Sequence, residues 1–272
     1  MKKLIFNNQD LEEMEKSFYN DLISNKNNIS YWYPKIKNCG IKQPKTFIYQ
    51  VPKDVIKCFF HDKKDDSDKI TEWVRNELYP SIPQELKNTS LFIKNGCFSN
   101  KFDFATATPR RNTVECISEC IQDIQYYSFY YDTMGNNEIA IRERIPYSPM
   151  ETPCIYNGLP LRNEYRIFYD FTKHKLLDIV NYWDWDYCHN SISTNKTDKI
   201  IYESVYDELL KHYNENKDKV CKLVSDKLKA VEDLEAVWSV DIMEDSGDFW
   251  LIDMALAKDS AYWEKVKGFE EL

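Results

Sequence analysis

The sequence predicts an α+β fold built as two lobes. Three observations carry that prediction. Strand-like and helix-like segments alternate irregularly, without the regular crossovers of a parallel sheet. The most strand-like region is a hairpin near the C-terminus. Ala236-Val237-Trp238-Ser239-Val240-Asp241-Ile242 and Phe249-Trp250-Leu251-Ile252-Asp253-Met254 flank the polar turn Glu244-Asp245-Ser246-Gly247-Asp248. Aromatic and β-branched runs around a glycine-containing turn read as paired strands. Finally, charged residues recur inside otherwise apolar strands. The lobe boundary is placed after Ile145, giving 1–145 and 146–272.

Taken in order, residues 9–25 have helical periodicity through Leu11, Met14, Phe18 and Leu22, with Asp10 able to cap. Tyr31-Trp32-Tyr33-Pro34 is an aromatic cluster in which proline is expected to stop regular structure. Pro44 to Tyr49 reads as a short strand, 61–69 as a charged loop or cap, and Ile70 to Tyr79 as a helix ended by Pro80 and Pro83. Leu91-Phe92-Ile93-Lys94 begins a strand, with Lys101-Phe102-Asp103-Phe104 as its continuation or partner. A helix over Thr113–Tyr127 and a buried strand over Glu138–Ile145 follow. Glu164–Phe171 and Lys175–Tyr182 pair around Thr172-Lys173-His174, and Asp198 to Val224 and beyond is helical and mostly solvated.

Composition excludes several classes. Only 6 glycines occur among 272 residues, and neither GxGxxG nor GxxxxGK[ST] is present, which argues against a Rossmann or P-loop site. A net charge of −9 disfavours a dedicated nucleic-acid binder and attachment to an anionic membrane. The 8 cysteines form no CxxC; Cys116 and Cys120, one helical turn apart, read as core thiols rather than a zinc half-site. Met1 to Asn7 lacks an apolar signal-peptide region, and no run is long enough to span a membrane. A cytoplasmic location with reduced thiols is expected.

The charges on strands carry the functional argument. Pairing the hairpin around Gly247 sets Asp241 and Asp253 cross-strand on one face, close enough to share a cation. Ile93-Lys94-Asn95 ends a strand in lysine, and Ile141-Arg142-Glu143-Arg144-Ile145 places three charges in an apolar run. In Glu164-Tyr165-Arg166-Ile167-Phe168-Tyr169, period two puts Glu164 and Arg166 on one face and Tyr165, Ile167 and Tyr169 on the other. Each alone reads as a surface ion pair. Together, cations for phosphate oxygens and paired carboxylates for magnesium suit a nucleoside-triphosphate site without a glycine-rich loop.

With those residues assembled, the chain resembles the ATP-grasp superfamily. The matching pieces run in order: Tyr31 to Pro34, Pro44 to Ile48, Phe92-Ile93-Lys94 through Ser99-Asn100-Lys101, Ile141-Arg142-Glu143, Glu164 to Phe168, Ser239-Val240-Asp241 and Trp250 to Asp253. Within the superfamily they are most similar to the eukaryotic chaperone family that assembles translation initiation factor two, and to its bacterial and viral relatives. The resemblance implies ATP between two α+β lobes. It implies Lys94 and Lys101 at the phosphates, and Arg142, Glu143, Arg144 and Ile145 as the hinge beside adenine. Glu143 would take the exocyclic amine or ribose, Arg166 would face the phosphates, and Asp241 and Asp253 would hold Mg2+. The chain departs from the family at Ala255, where an asparagine is usual. Alanine cannot ligate, which puts a second magnesium in question; Asp259 or Ser260 is a possible substitute.

Three activities follow as expectations. An ATP-dependent ligase would proceed through an acyl phosphate, with Lys94 and Arg166 catalytic and an unknown small-molecule or protein substrate. A nucleotide-binding assembly factor would hold a protein partner instead. A nucleotidyl transferase through Lys94 would follow the Lys-x-Asp-Gly pattern of polynucleotide ligases, but Lys94-Asn95-Gly96 lacks the aspartate. Tyr182-Trp183-Asp184-Trp185-Asp186-Tyr187 reads as lobe packing ahead of an acceptor wall.

Overall fold

The structure, a computed structural model, describes residues 16–17, 19–59, 64–131, 137–147, 151–192 and 195–266. Two antiparallel sheets organise them. β1 (Thr46–Gln50), β2 (Leu91–Asn95) and β3 (Glu138–Glu143) form a three-stranded sheet with β3 central. β4 (Cys154–Ile155) and β5 (Leu159–Pro160) make a small ladder in the connection that follows. β6 (Glu164–Asp170), β7 (Lys175–Asn181), β8 (Val237–Asp245) and β9 (Asp248–Leu256) form the second sheet, in the spatial order β7-β6-β8-β9.

The main helices are α1 (Ile29–Ile36), α2 (Lys53–Phe59), α3 (Lys64–Trp73), α4 (Val114–Tyr130), α5 (Trp185–Ser191) and α6 (Lys196–Leu228). Alternation divides each sheet into two faces. On the first sheet Ile93, Ile139 and Ile141 are buried against Trp73 of α3 and Ile117, Ile121 and Ile124 of α4. The apolar residues of α4 recur at helical spacing, and Thr113 caps it by accepting a hydrogen bond from the Cys116 amide. The opposite face presents Ile48, Ala140, Arg142 and Lys94.

On the second sheet Tyr165, Ile167, Tyr169, Trp238, Val240 and Ile242 pack against α1 and the Val220–Leu228 end of α6. The other face carries Arg166, Asp241 and Asp253. Its far part is covered by 257–266, where Ala257, Tyr262 and Val266 pack on Phe168. The chemistry-bearing faces of the two sheets therefore look into one cleft.

Two local expectations are corrected. Pro34 does not end structure but lies inside α1. Its missing amide costs one helical bond, but Ile29, Trp32 and Ile36 form a fully buried stripe that holds the helix against the second sheet. Lys101–Ala107 is a 3-10 segment, not a strand. The Asn95 side-chain oxygen accepts from the amides of Cys97 and Phe98, and Asn100 turns left-handed, so the chain leaves the sheet. α2 was not anticipated. Of the helix expected over 9–25, residues 9–15 and 18 lie outside the described residues, and 19–24 are helical. Cys116 and Cys120 lie on α4, Cys120 inside the first core, and all 8 cysteines are free. Among the described residues no helix is long and apolar enough to cross a membrane.

Candidate functional site

The hairpin sets the site's geometry through a bulge. Asp245 faces Asp248 across a two-residue turn in which Ser246 and Gly247 have φ of 51° and 84°. Two positive φ values are the turn that matches strand twist. A regular ladder from this turn would put Asp241 opposite Ile252. Instead the register slips: Ile242 pairs with Leu251, and Asp241 pairs with Asp253. Ile252 is the extra residue. The apolar phase slips with it, from Phe249 and Leu251 to Met254 and Leu256 in the core. Asp253 thereby joins Asp241 on the cleft face. Arg166 lies opposite Asp241 on the neighbouring strand, completing a row of three.

Both carboxylates are gripped by cations. Arg166 makes a bidentate pair with Asp241, Nε to Oδ1 at 2.8 Å and Nη2 to Oδ2 at 2.7 Å. Its remaining nitrogen, Nη1, reaches the Ala261 carbonyl at 3.3 Å, and its guanidinium lies 4.9 Å from the Tyr182 ring centre. Burial works against the Arg166 charge, but Asp241 outweighs it and holds the group above its ordinary value. From the other sheet, Lys94 Nζ reaches Asp253 Oδ1 at 2.8 Å and Oδ2 at 2.7 Å. The Lys94 side chain is 2% exposed. Just beyond it, Gly96 is required, since a Cβ there would lie 2.5 Å from Glu138 Oε1.

Arg142 is built differently. Its Nε donates to Thr46 Oγ1 at 3.1 Å and its Nη1 to the bulge carbonyl of Ile252 at 2.5 Å. Its Nη2 is buried without a hydrogen-bond partner. Burial lowers its pKa, and Asp253 opposes that shift. An unpaired guanidinium nitrogen in a buried position is costly unless an anion completes it.

These groups line a cleft of about 900 Å³, part of it open to solvent. Lys94, Lys101, Arg142, Arg144 and Arg162 are its cations; Glu143, Glu164, Asp241 and Asp253 are its carboxylates. Phe92, Phe104, Ile145, Leu159, Met243 and Ile252 supply apolar walls. Lys101 Nζ hydrogen-bonds the Tyr182 hydroxyl, and burial, helped by nearby Arg166, pushes its pKa down. Burial pushes Glu164 up to about 7, opposed by Lys101 and reinforced by Asp241.

The structure thus brings Lys94, Lys101, Arg142, Glu143, Arg144, Ile145, Asp241 and Asp253 around one cleft. Arg166 is not in its lining and stands behind Asp241. The sequence reading left Glu164, Arg162 and Met243 out of the site. Glu164 and Met243 carry a signal, lying two residues from Arg166 and Asp241 on the same face; Arg162 carries none. Asp241 and Asp253 offer hard oxygen ligands suited to magnesium. Among the described residues no group of three or more His, Cys, Asp or Glu side chains is arranged to hold a metal. Asp259 accepts a bond from Asn27 at 2.8 Å, and Ser260 lies 2.7 Å from the Ser239 hydroxyl, so both candidates for the Ala255 position have partners.

No protein-family model matches the chain, and no curated protein matches its sequence. Several solved structures align with it. Cdc123 from Schizosaccharomyces pombe, complete and C-terminally truncated, superposes with a TM-score of 0.53 at 14% identity, over 91% of each chain. D-alanine-D-alanine ligase from Helicobacter pylori aligns with 90% of this chain and 56% of its own, at TM-score 0.40 and 13% identity. A RimK domain ATP-grasp protein from Sphaerobacter thermophilus aligns with 92% of this chain and 64% of its own, at TM-score 0.36 and 8% identity. The chain has a mixed α+β fold that it shares with Cdc123. Its likeness to Cdc123 is one of fold over nearly the whole chain.

Proposed function

We propose that the chain binds ATP with magnesium in the cleft between a lobe over 1–145 and a lobe over 146–272. The buried Arg142 guanidinium carries the proposal, because its free Nη2 calls for an anion in a cleft that also holds Lys94 and Lys101. Phosphate oxygens supply that anion. Arg142 to Ile145 would flank the base, with Glu143 toward its amine or the ribose. Lys94, Lys101 and Arg166 would serve the phosphates, and Asp241 and Asp253 would hold magnesium. Magnesium, when bound, supplies charge that offsets the β- and γ-phosphates. Asp241 and Asp253 would hold it, and Arg166 and Lys94 are the cations that hold those two carboxylates on the cleft face.

Between the two uses of ATP, assembly of a protein partner is favoured over ligation. Ala255 pairs with Ser239 beside Asp253 on the cleft face, where a further ligand would be needed, and offers no side-chain oxygen. Ligation through an acyl phosphate, with Lys94 and Arg166 catalytic, is the second reading. Calorimetry of ATP binding with and without magnesium, on the wild type, Arg142→Met and Asp253→Ala, tests the site. Magnesium-dependent binding that both variants lose supports it. A wild type that binds no ATP refutes it, and rapid phosphate release with a carboxylate and amine acceptor would restore the ligase.

A further inference from the structure

Lys101–Ala107 separates the cleft from a second hollow, of about 920 Å³ and partly open to solvent. Lys101 lines the cleft, whereas the next two residues, Phe102 and Asp103, line the hollow. Phe102 is the centre of an aromatic set: its ring is 5.5 Å from Tyr131 and 5.4 Å from Tyr156. The hollow's charged residues are two carboxylates, Asp103 and Asp198. Asn100 is wholly buried, and its Oδ1 has no hydrogen-bond partner. Asp103 Oδ1 accepts from Asn157 Nδ2 at 2.8 Å, and Asp198 Oδ2 accepts from the Tyr156 amide at 2.9 Å. Neither bond brings a cation, and no Lys, Arg or His is among the described residues of the lining. Burial raises the pKa of Tyr127 and Asp123, and the Asp103 charge adds to it in both.

Lys101 Nζ, which lines the neighbouring cleft, lies 5.7 Å from the Phe102 ring centre; the hollow's own rings, carboxylates and unpaired carbonyl oxygen are the recognition chemistry of a further ammonium or guanidinium. The hollow also continues onto an exposed surface. Tyr131 touches Tyr130, and Tyr127 touches Tyr126, with ring centres 5.4 and 5.5 Å apart. Tyr126, Phe129 and Tyr130 are 65%, 60% and 72% exposed. Such an aromatic face has no use for a small free cation, but suits a protein surface. With a chain charge of −9, the complementary partner is basic. We propose that this hollow receives an arginine or lysine side chain from a basic segment of a protein partner, which lies across the exposed tyrosines of α4.

The proposal is independent of nucleotide binding. Its test is fluorescence anisotropy with a labelled octapeptide of four glycine–arginine repeats, the same peptide with citrulline for arginine, and free argininamide as competitor. The arginine peptide is expected to bind, and to weaken as salt rises. The citrulline peptide, uncharged at the same shape, is expected not to bind. Phe102→Ala and Asp103→Asn are each expected to weaken the arginine peptide by about tenfold. Tyr130→Ala should weaken the peptide without changing inhibition by argininamide. Thermal melts check that each variant is folded; if Phe102→Ala is not, Asp103→Asn decides. A wild type that ignores the arginine peptide overturns the proposal, as does unchanged binding in the folded variants. Argininamide binding as tightly as the octapeptide overturns the protein partner, since a free cation would then suffice.

Discussion

The Lys94–Asp253 pair predicts an asymmetry between its two halves. The Lys94 side chain is 2% exposed and that of Asp253 is 34% exposed. Asp253→Ala strands an ammonium where water does not reach. It also removes the charge that opposes the burial of Arg142. Lys94→Met leaves a carboxylate that solvent can still approach. Removing one partner of a fully buried pair costs about 3–5 kcal/mol. Solvent screening at Asp253 places Asp253→Ala at the low end, about 3 kcal/mol, and Lys94→Met nearer 1 kcal/mol. The double variant Lys94→Met/Asp253→Ala is expected to recover about 2 kcal/mol relative to Asp253→Ala, because the stranded ammonium is gone, while Arg142 still lacks the charge that opposed its burial. Urea unfolding at pH 7 without nucleotide measures all three. In thermal melts Asp253→Ala should lose roughly 6–12 °C. Equal costs for the two single variants, or simple additivity in the double, would refute the reasoning.

Glu164 links stability to pH. Its pKa is raised from 4.5 to about 7, so between those values the folded protein holds a proton that the unfolded chain has released. Its contribution is full below about 4.5 and is lost as pH rises through 7; Glu164→Gln should flatten that decline when unfolding is measured at pH 5 and pH 8. Pro34 is exposed inside α1, so Pro34→Ala restores a helical amide without disturbing the core. A gain of about 1–2 kcal/mol is expected after allowing for the freer unfolded chain, read by urea unfolding. Gly96→Ala forces a Cβ to 2.5 Å from Glu138 Oε1 and 2.8 Å from its Cγ. Glu138 is fully buried and accepts from the Ser30 amide, so the clash displaces a held side chain. A loss of about 2 kcal/mol is expected in the same assay.

Period two made much of the site legible before any contact was known. Glu164 and Arg166 fall on the face opposite Tyr165, Ile167 and Tyr169, and the structure buries the latter three in the second core. The hairpin was legible from its aromatic strands and glycine turn; the Asp241–Asp253 pairing was expected from an unbroken ladder centred on Gly247, whereas the structure reaches it through a two-residue turn and a bulge. The Lys101–Phe104 segment was not assigned correctly, because its pattern alternates like a strand. The turn at Asn95 that bends it away depends on a side-chain hydrogen bond no alternation reveals. Pro34 misled for a related reason: local propensity forbids helix, whereas the buried stripe of α1 overrides it. Arg162 was invisible because its role depends on distant partners, Asp245 at 3.3 Å and the Pro146 carbonyl.

The bulge at Ile252 ties the site to the core beneath it. Were β9 regular, Asp253 would share the face of Phe249 and Leu251 and point among Tyr165, Val240 and Trp238. An unpaired carboxylate there would cost several kcal/mol. Met254 would meanwhile turn toward the cleft and leave its place in the core empty. One slipped residue avoids both, at the expense of a local break in the ladder. It also exposes the Ile252 carbonyl that Arg142 holds at 2.5 Å, so the same step joins the two sheets. The sequence signal is the change of phase in Phe249-Trp250-Leu251-Ile252-Asp253-Met254-Ala255-Leu256, where buried positions fall two apart, then three, then two. Core packing, rather than the turn, therefore sets the register that places Asp253 beside Asp241.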